Sequence, residues 1–378
     1  MELELIATAA FGLEALVAAE LRQLGYRDLA VDNGQVTFRA DEAAVCRANL
    51  WLRTADRVLI KVGSFSARTF DELFAGTRGL PWADWLPADA AFPVRGRSVG
   101  SQLFSVPDCQ AIVKKAIVEK LKERYRRRWF PETGPLYAVE VALRKDVATL
   151  TIDTTGPGLH KRGYRRLVGP APLKETLAAA LVLLSRWQPD RALLDPLCGT
   201  GTIPIEAALL GKNIAPGLNR GFAAEAWPNL PPRLWAEARA EARDLARRDL
   251  KLRVYGSDID PAALDLARLH AREAGLEGEV FFQRLPVSRV SSRFEYGYLI
   301  TNPPYGQRLG EEREVERLYR ELGEVFRRLE TWSAGVLTPH PDFERLFGRR
   351  ADRKRKLYNG RIECHYYQFW GPRPPQAR

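Results

Sequence analysis

The stretch from Ala192 to Leu210 restricts the fold more than any other part of the chain. Ala192-Leu193-Leu194 reads as a buried strand. Asp195-Pro196-Leu197-Cys198-Gly199-Thr200-Gly201-Thr202 follows, and Ile203 to Leu210 has the pattern of a helix. A strand, a glycine-rich turn and a helix in this order form the opening unit of an open, doubly wound α/β sheet, which takes its ligands at the carboxyl ends of the strands. Gly199 and Gly201 permit close backbone approach, and the helix amino terminus presents free N–H groups. The third glycine of a dinucleotide fingerprint is replaced by Pro204, and no GxxxxGK[ST] loop is present. Asp195 at the strand tip would repel a pyrophosphate. It suits a cationic ligand that carries an amino group, such as S-adenosylmethionine. An ordinary turn between strand and helix accounts poorly for the run as a whole.

The alternation of strands and longer helices continues from Leu173 onward, the pattern of a parallel sheet. Arg253 to Gly256 is a second strand ending in Ser257-Asp258-Ile259-Asp260. A carboxylate there is placed for a ribose diol, so Asp258 is the ribose candidate, and Asp260 caps the helix from Pro261 to Gly275. An Arg-rich helical insertion, Pro232 to Lys251, precedes this strand. A third strand, Val280 to Gln283, leads into Arg284-Leu285-Pro286. A fourth, Tyr298-Leu299-Ile300, leads into Asn302-Pro303-Pro304-Tyr305-Gly306. Two successive prolines end the strand and stiffen the turn. The amide oxygen of Asn302 and a neighbouring carbonyl can accept both hydrogens of an exocyclic NH2, and the Tyr305 ring can stack on a flat base. The plain alternative is an Asn-Pro turn of the common kind.

The amino-terminal part is of a different character. Residues 1–63 read as a small α+β module of the ferredoxin-like kind. Strands at 2–7, 35–38 and 57–62 alternate with helices at 13–25 and 41–52. Residues 64–155 form a second α+β module, with strands at 91–97, 137–143 and 147–153. In it, Asp108 to Arg128 is an amphipathic helix that is apolar at Ile112, Val113, Ala116, Ile117 and Leu121. Its other face carries Lys114, Lys115, Lys122, Arg126, Arg127 and Arg128 beside Tyr125 and Trp129. A solvated helix face is the ordinary reading of such a run. A surplus nearly all of one sign favours phosphate contact. A Gly/Pro-rich linker, 156–172, adds Lys161, Arg162, Arg165 and Arg166, and the chain from 173 to 378 forms the last domain.

Composition fits this reading. A net charge of +11 over 378 residues points to an anionic partner, most often nucleic acid. The longest apolar run, Leu177 to Leu184, is too short to span a bilayer, and the start has no signal-peptide pattern, so a cytoplasmic location is expected. The four cysteines and four histidines show no metal or disulfide spacing.

With DPLCGTGT, Glu206 in IEAA, SDID at 257–260 and NPPYG in that order, the chain resembles the class I S-adenosylmethionine-dependent methyltransferases. The runs HKRGYR (160–165), APLKETLAAAL (171–181), IAPGLNRGF (214–222), LTPHPDFERLFG (337–348) and KLYNGRIECHYYQF (356–369) narrow this. They are similar to the RNA guanine-N2 methyltransferases that carry a THUMP domain, and most of all to the tRNA enzymes that modify guanine 6 of the acceptor stem. The resemblance implies a seven-stranded, largely parallel Rossmann-like sheet preceded by a ferredoxin-like region and an RNA-binding THUMP domain. It implies that residues 195–202 hold the methionine and ribose parts of S-adenosylmethionine, that Asp258 holds the ribose hydroxyls, and that Ile259 flanks the adenine. The family often has an acidic residue after the third strand. Arg284-Leu285 stands there instead, which leaves adenine to the Leu285 main chain. It further implies a methyl transfer to guanine N2 of a flipped base, held by Asn302 and Pro303 and stacked on Tyr305, with Pro304 completing the motif and no metal.

The resulting expectation is a monomeric tRNA methyltransferase. The alternatives are a 23S ribosomal RNA guanine-N2 methyltransferase, a DNA adenine-N6 methyltransferase, and a non-catalytic RNA-binding scaffold.

Overall fold

The computed structural model describes residues 2–165, 173–306 and 312–375, so Arg166 and the second half of the expected linker lie outside the described residues. The strands among the described residues build two seven-stranded sheets, and the chain divides into two compact units.

The first unit contains β1 (Leu3–Ala9), α1 (Glu14–Gln23), β2 (Leu29–Asp32), β3 (Gln35–Ala40), α2 (Glu42–Trp51), β4 (Ala55–Ser66), α3 (Phe70–Arg78), α4 (Trp82–Trp85), β5 (Val94–Val99), α5 (Val106–Tyr125), β6 (Val139–Arg144) and β7 (Val147–Asp153). The first turn of α1 is the exception. Residues Ala10–Leu16 group with the second unit, where buried Leu13 joins the core. Sheet order is β2-β3-β1-β4-β7-β6-β5, antiparallel apart from the β5–β6 pair. β4 is twelve residues long and crosses the boundary expected at 63–64. It pairs with β1 on one side and β7 on the other, so the ferredoxin-like and THUMP regions share one sheet. α5 buries Cys109, Val113, Ile117 and Leu121, a stripe at every fourth residue, together with Ala116. It ends at Arg126 in the left-handed conformation (φ 53°), whose N–H donates to the Lys122 carbonyl.

Gly221–Ala240 also belongs to this unit, although it falls between the second unit's strands in sequence. The Trp227 ring stacks on Tyr137 at 4.3 Å, and its indole N–H donates to the Leu136 carbonyl at 2.9 Å. The Arg-rich insertion is therefore shorter as a helix than expected: α6 (Glu175–Ser185) and α7 (Thr202–Gly211) come before it in sequence, and the insertion itself is α8 (Pro232–Asp244).

The second unit adds β8 (Leu193–Asp195), β9 (Val254–Asp258), α9 (Pro261–Glu273), β10 (Val280–Arg284), β11 (Tyr298–Thr301), α10 (Glu312–Arg328), β12 (Ser333–Thr338), α11 (Phe343–Phe347), β13 (Arg353–Asn359) and β14 (Ile362–Phe369). Its sheet runs β10-β9-β8-β11-β12-β14-β13. The first five strands are parallel, and β14 and β13 form an antiparallel hairpin at the edge. α6 and α7 are apolar nearly all round and are buried on the sheet. The strand order reverses at β8, which has β9 on one side and β11 on the other. This switch point opens the crevice where such sheets bind ligands. The glycine-rich turn leaves β8 and the Asn302–Tyr305 turn leaves β11, so both motifs reach the same edge.

Candidate active site

Asp195 ends β8 and is only 2% exposed. One oxygen, Oδ1, accepts from the Thr301 hydroxyl at 2.6 Å and from the Leu197 N–H at 3.1 Å. Burial pushes its carboxyl up to about 7; these two hydrogen bonds oppose the rise, and nearby Asp258 adds a little to it. This has a consequence for stability. The folded value lies above the ordinary 3.8, so between about pH 4 and pH 7 the folded chain holds a proton that the unfolded chain has lost. Without the methyl donor, stability therefore falls as pH rises through that window, by up to about 1.4 kcal/mol per pH unit from this carboxyl. Asp195→Asn is expected to flatten that slope in urea titrations at pH 5, 6 and 7. An equally steep slope in the variant would show that another group causes it.

The turn after Asp195 is fixed by backbone bonds. The Cys198 N–H donates to the Ser257 carbonyl at 3.0 Å, and the Gly201 N–H to the Cys198 carbonyl at 2.8 Å. Gly201 has φ +81°, and a Cβ there would lie 2.9 Å from Ala267 and Phe282, so glycine is required. At Gly199 (φ +50°) a Cβ would meet nothing within 4 Å, which leaves an open side to the turn. Thr200 offers its carbonyl to His270 Nδ1 at 3.2 Å. Pro196 and Leu197 carry the chain from the strand into this loop.

Asp258 ties the two strand ends together. Its Oδ2 accepts from the Gly199 N–H at 2.9 Å and its Oδ1 from the Asp260 N–H at 3.0 Å. A carboxylate has about four acceptor sites, so two such bonds leave room for a diol. Asp260 caps α9 by accepting from the Ala262 N–H at 2.9 Å, the role its position predicts. Ile259 is 64% exposed at the strand end, an uncovered apolar side chain among the described residues. Arg284 turns its Nε to the Ile259 carbonyl at 3.1 Å. The Leu285 N–H donates to the Asp258 carbonyl at 3.0 Å and extends the ladder between β10 and β9. That amide is committed to the sheet, which narrows the expected main-chain reading of adenine to the Leu285 carbonyl.

Beyond β11, Asn302 is half-buried, Pro303 is buried and Pro304 is exposed. The Tyr305 hydroxyl donates to Asn302 Oδ1 at 2.5 Å and accepts from Asn359 Nδ2 at 3.1 Å. Cys364 Sγ lies 3.6 Å from the same oxygen. Burial pushes the Tyr305 phenol well above its usual range, so it stays protonated. The Pro304 carbonyl accepts from the Tyr319 hydroxyl at 3.2 Å, and Tyr319 also bonds Thr338 at 2.8 Å. Tyr319, Thr338, Asn359 and Cys364 were not apparent from the sequence, because each reaches the motif from a distant element, and neither was Thr301, whose hydroxyl crosses from β11 to Asp195.

Two of the expected RNA-contacting arginines face inward. Arg162 (2% exposed) pairs with Glu206 (0%) at 3.3 Å, and the Tyr164 hydroxyl donates to the same carboxylate at 3.1 Å. Arg165 pairs with buried Glu175 at 3.3 Å, donates to the Leu173 carbonyl at 3.2 Å and bonds the Thr202 hydroxyl. These are internal struts behind the glycine-rich turn. Lys161 remains exposed. On α5, Lys114 is held by Glu132 at 2.6 Å and the Phe92 carbonyl at 3.0 Å, so it too is engaged within its own unit. Lys122 pairs with Glu119 at 2.8 Å on the surface, where such pairs exchange readily. Lys115 is exposed, with its ammonium 5.8 Å from the Phe74 ring. Arg126, Arg127 and Arg128 are exposed, next to a Trp129 that is 74% exposed. Among the described residues no group of three or more His, Cys, Asp or Glu gathers as metal ligands, and no helix is long and apolar enough to cross a membrane.

A doubly wound sheet, a glycine-rich turn on a buried aspartate and an Asn-Pro-Pro-Tyr turn at one switch point define an S-adenosylmethionine-dependent methyltransferase. Residues 162–368 match the RMKL-like methyltransferase domain, 4–59 the RlmL ferredoxin-like domain and 67–153 the THUMP domain. The chain belongs to the RMKL-like methyltransferase family. It is 52% identical over 376 residues to "Putative RNA methyltransferase YpsC" of Bacillus subtilis, covering 99% of this chain and 97% of that protein. It is 36% identical to the ribosomal RNA large subunit methyltransferase K/L of Syntrophotalea carbinolica, where the match covers 99% of this chain and 55% of that longer protein. Among solved structures, a protein from Listeria monocytogenes described as a predicted N6-adenine-specific DNA methylase is 55% identical, with TM-score 0.95 and coverage of 98% and 97%. A protein described as "SMU.472, a putative methyltransferase complexed with SAH" is 48% identical, with TM-score 0.94 and 99% coverage of each chain. TrmN from Thermus thermophilus, at 23% identity and TM-score 0.72 over 98% and 100% of the two chains, shares the fold.

Proposed function

We propose that this chain methylates the N2 amino group of a guanine in large-subunit ribosomal RNA. The observation that carries the chemistry is the pair of turns at β8 and β11, which brings a buried carboxylate and an Asn-Pro-Pro-Tyr run to one sheet edge. Bound at the glycine-rich turn, S-adenosylmethionine supplies an electrophilic methyl group. Asp195 would face its amino group, Asp258 its ribose, and Ile259 and the Leu285 carbonyl its adenine. Asn302 Oδ1 and the Pro303 carbonyl would accept the two hydrogens of the target NH2 and aim the nitrogen lone pair at the methyl. Tyr305 would stack on the base. The alkylated nitrogen is acidic, so its proton leaves to water without a dedicated base, and the protein's contribution is mainly positioning.

The expectation of guanine 6 in tRNA gives way to ribosomal RNA at this point. The tRNA reading draws on TrmN, which shares only the fold at 23% identity, whereas the K/L relative is 36% identical over nearly the whole chain. The exposed Arg126–Arg128 run and Lys161 are the candidates for phosphate contact, in keeping with a THUMP domain that grips RNA by backbone and shape. The Listeria protein's description favours DNA adenine N6 as the second reading, since an NH2 held between two oxygens suits either base. Nucleoside mass spectrometry on a deletion strain tests the proposal. Loss of one N2-methylguanosine from 23S RNA, with tRNA and DNA unchanged, supports it. Loss from tRNA alone, or of N6-methyladenine from DNA, overturns it.

A further inference from the structure

Asn359 ends β13, and its pairing with Ile362 closes the β13–β14 hairpin, with Gly360 at φ +63° in the turn. Asparagine is common at such a turn, and nothing more is needed to explain its place in the backbone. Its side chain reaches further. The Nδ2 amide donates to the Tyr305 hydroxyl at 3.1 Å, and that hydroxyl donates in turn to Asn302 Oδ1 at 2.5 Å. The chain of donors therefore runs from Asn359 through Tyr305 to Asn302.

The direction of this chain matters chemically. A phenol has one donor and two acceptor positions. The Asn359 N–H and the Cys364 thiol, 3.6 Å away, both aim at its oxygen, so the two acceptor positions are taken and the Tyr305 hydroxyl is steered to act as a donor toward Asn302. The hydroxyl then selects the oxygen end of the Asn302 amide, and one lone pair of that oxygen remains for a second donor. Without Asn359, Cys364 still fills one acceptor position but the other opens, and the phenol oxygen can accept from Asn302 Nδ2 instead. The Asn302 amide would then be turned over, presenting NH2 where the target amine needs an acceptor. The same bond pins the Tyr305 ring, which is half-buried against the core.

We propose that Asn359 is a positioning residue for the methyl acceptor: through Tyr305 it holds the Asn302 amide oxygen toward the amine to be methylated. This rests on reading Asn302–Tyr305 as the acceptor site. The motif around 356–369 thereby gains a role in the reaction in addition to forming the sheet edge.

The test is a double-mutant cycle read by methyl transfer to RNA at saturating S-adenosylmethionine, with KM for the donor and urea unfolding measured alongside. Asn359→Asp keeps the size and the turn preference but replaces the donor with an acceptor. It is expected to lower kcat about tenfold, as Asn359→Ala does, the effect of one lost hydrogen bond at the reacting centre. KM for the donor and the unfolding midpoint stay at their wild-type values. In a Tyr305→Phe background, where no hydroxyl remains to be steered, either Asn359 change adds less than about twofold. Wild-type kcat in Asn359→Asp, or the same tenfold loss in the Tyr305→Phe background, overturns the inference. Asn302→Ala separates the two levels. If it is active, the reading of the acceptor site fails; if it is inactive while Asn359→Asp is wild-type, only the role of Asn359 fails.

Discussion

Asn302→Ala is expected to lower single-turnover methyl transfer by at least about a hundredfold, the loss that follows when a reacting atom is no longer held in line. RNA affinity is expected to stay near the wild-type value. Affinity comes mainly from cations meeting phosphates, and the cations proposed for that contact, Lys161 and Arg126–Arg128, are not part of the Asn302–Tyr305 turn. The substitution removes the amide oxygen that accepts from the Tyr305 hydroxyl, but Tyr305 keeps its bond from Asn359 at 3.1 Å. The Pro304 carbonyl keeps its bond from Tyr319 at 3.2 Å, so the turn itself should persist. Transfer rates from rapid quench, paired with filter binding of the same RNA, check the separation. Parallel loss of both quantities would make Asn302 a structural residue of the turn.

The second large effect concerns stability. Arg162→Ala is expected to destabilise the chain by about 3–5 kcal/mol, the usual cost of leaving one partner of a buried ion pair alone. Glu206 is fully buried, and with Arg162 gone it would keep the Tyr164 hydroxyl at 3.1 Å but lose its cation. Since the net stability of a protein is itself about 5–15 kcal/mol, the variant should show a clear fall in its urea midpoint. Removing both charges, in Arg162→Met with Glu206→Gln, should recover much of the loss. If Arg162 were an RNA contact, the variant would instead unfold like the wild type and lose salt-dependent affinity.

That contrast shows where sequence reading stops. The buried parallel strands β8 and β11 were legible because strands covered on both faces read as continuous apolar runs. The glycine-rich turn was legible because positive φ at Gly199 and Gly201, and the lack of room for a Cβ at Gly201, favour glycine. β2, an edge strand with only Leu29 partly buried, has no such pattern and was missed. Lys161-Arg162-Gly163-Tyr164-Arg165 is a basic run whether its side chains meet water or carboxylates. Only the fold brings Glu206 and Glu175 against Arg162 and Arg165. Likewise Trp227 joins the first unit through Tyr137, ninety residues earlier, and no local pattern encodes that contact. The donor and acceptor motifs were visible from residue type and order. The residues that orient them, Thr301, Tyr319 and Asn359, bear on those motifs only through tertiary hydrogen bonds.

The most direct measurement is transfer of labelled methyl from S-adenosylmethionine by the purified full chain to large-subunit ribosomal RNA, bulk tRNA and duplex DNA in parallel, with the labelled nucleoside identified by mass spectrometry. The predicted result is N2-methylguanosine in the ribosomal RNA, abolished by Asn302→Ala. Label confined to N6-methyladenine in the DNA, or N2-methylguanosine formed equally well by the Asn302→Ala variant, would contradict the account.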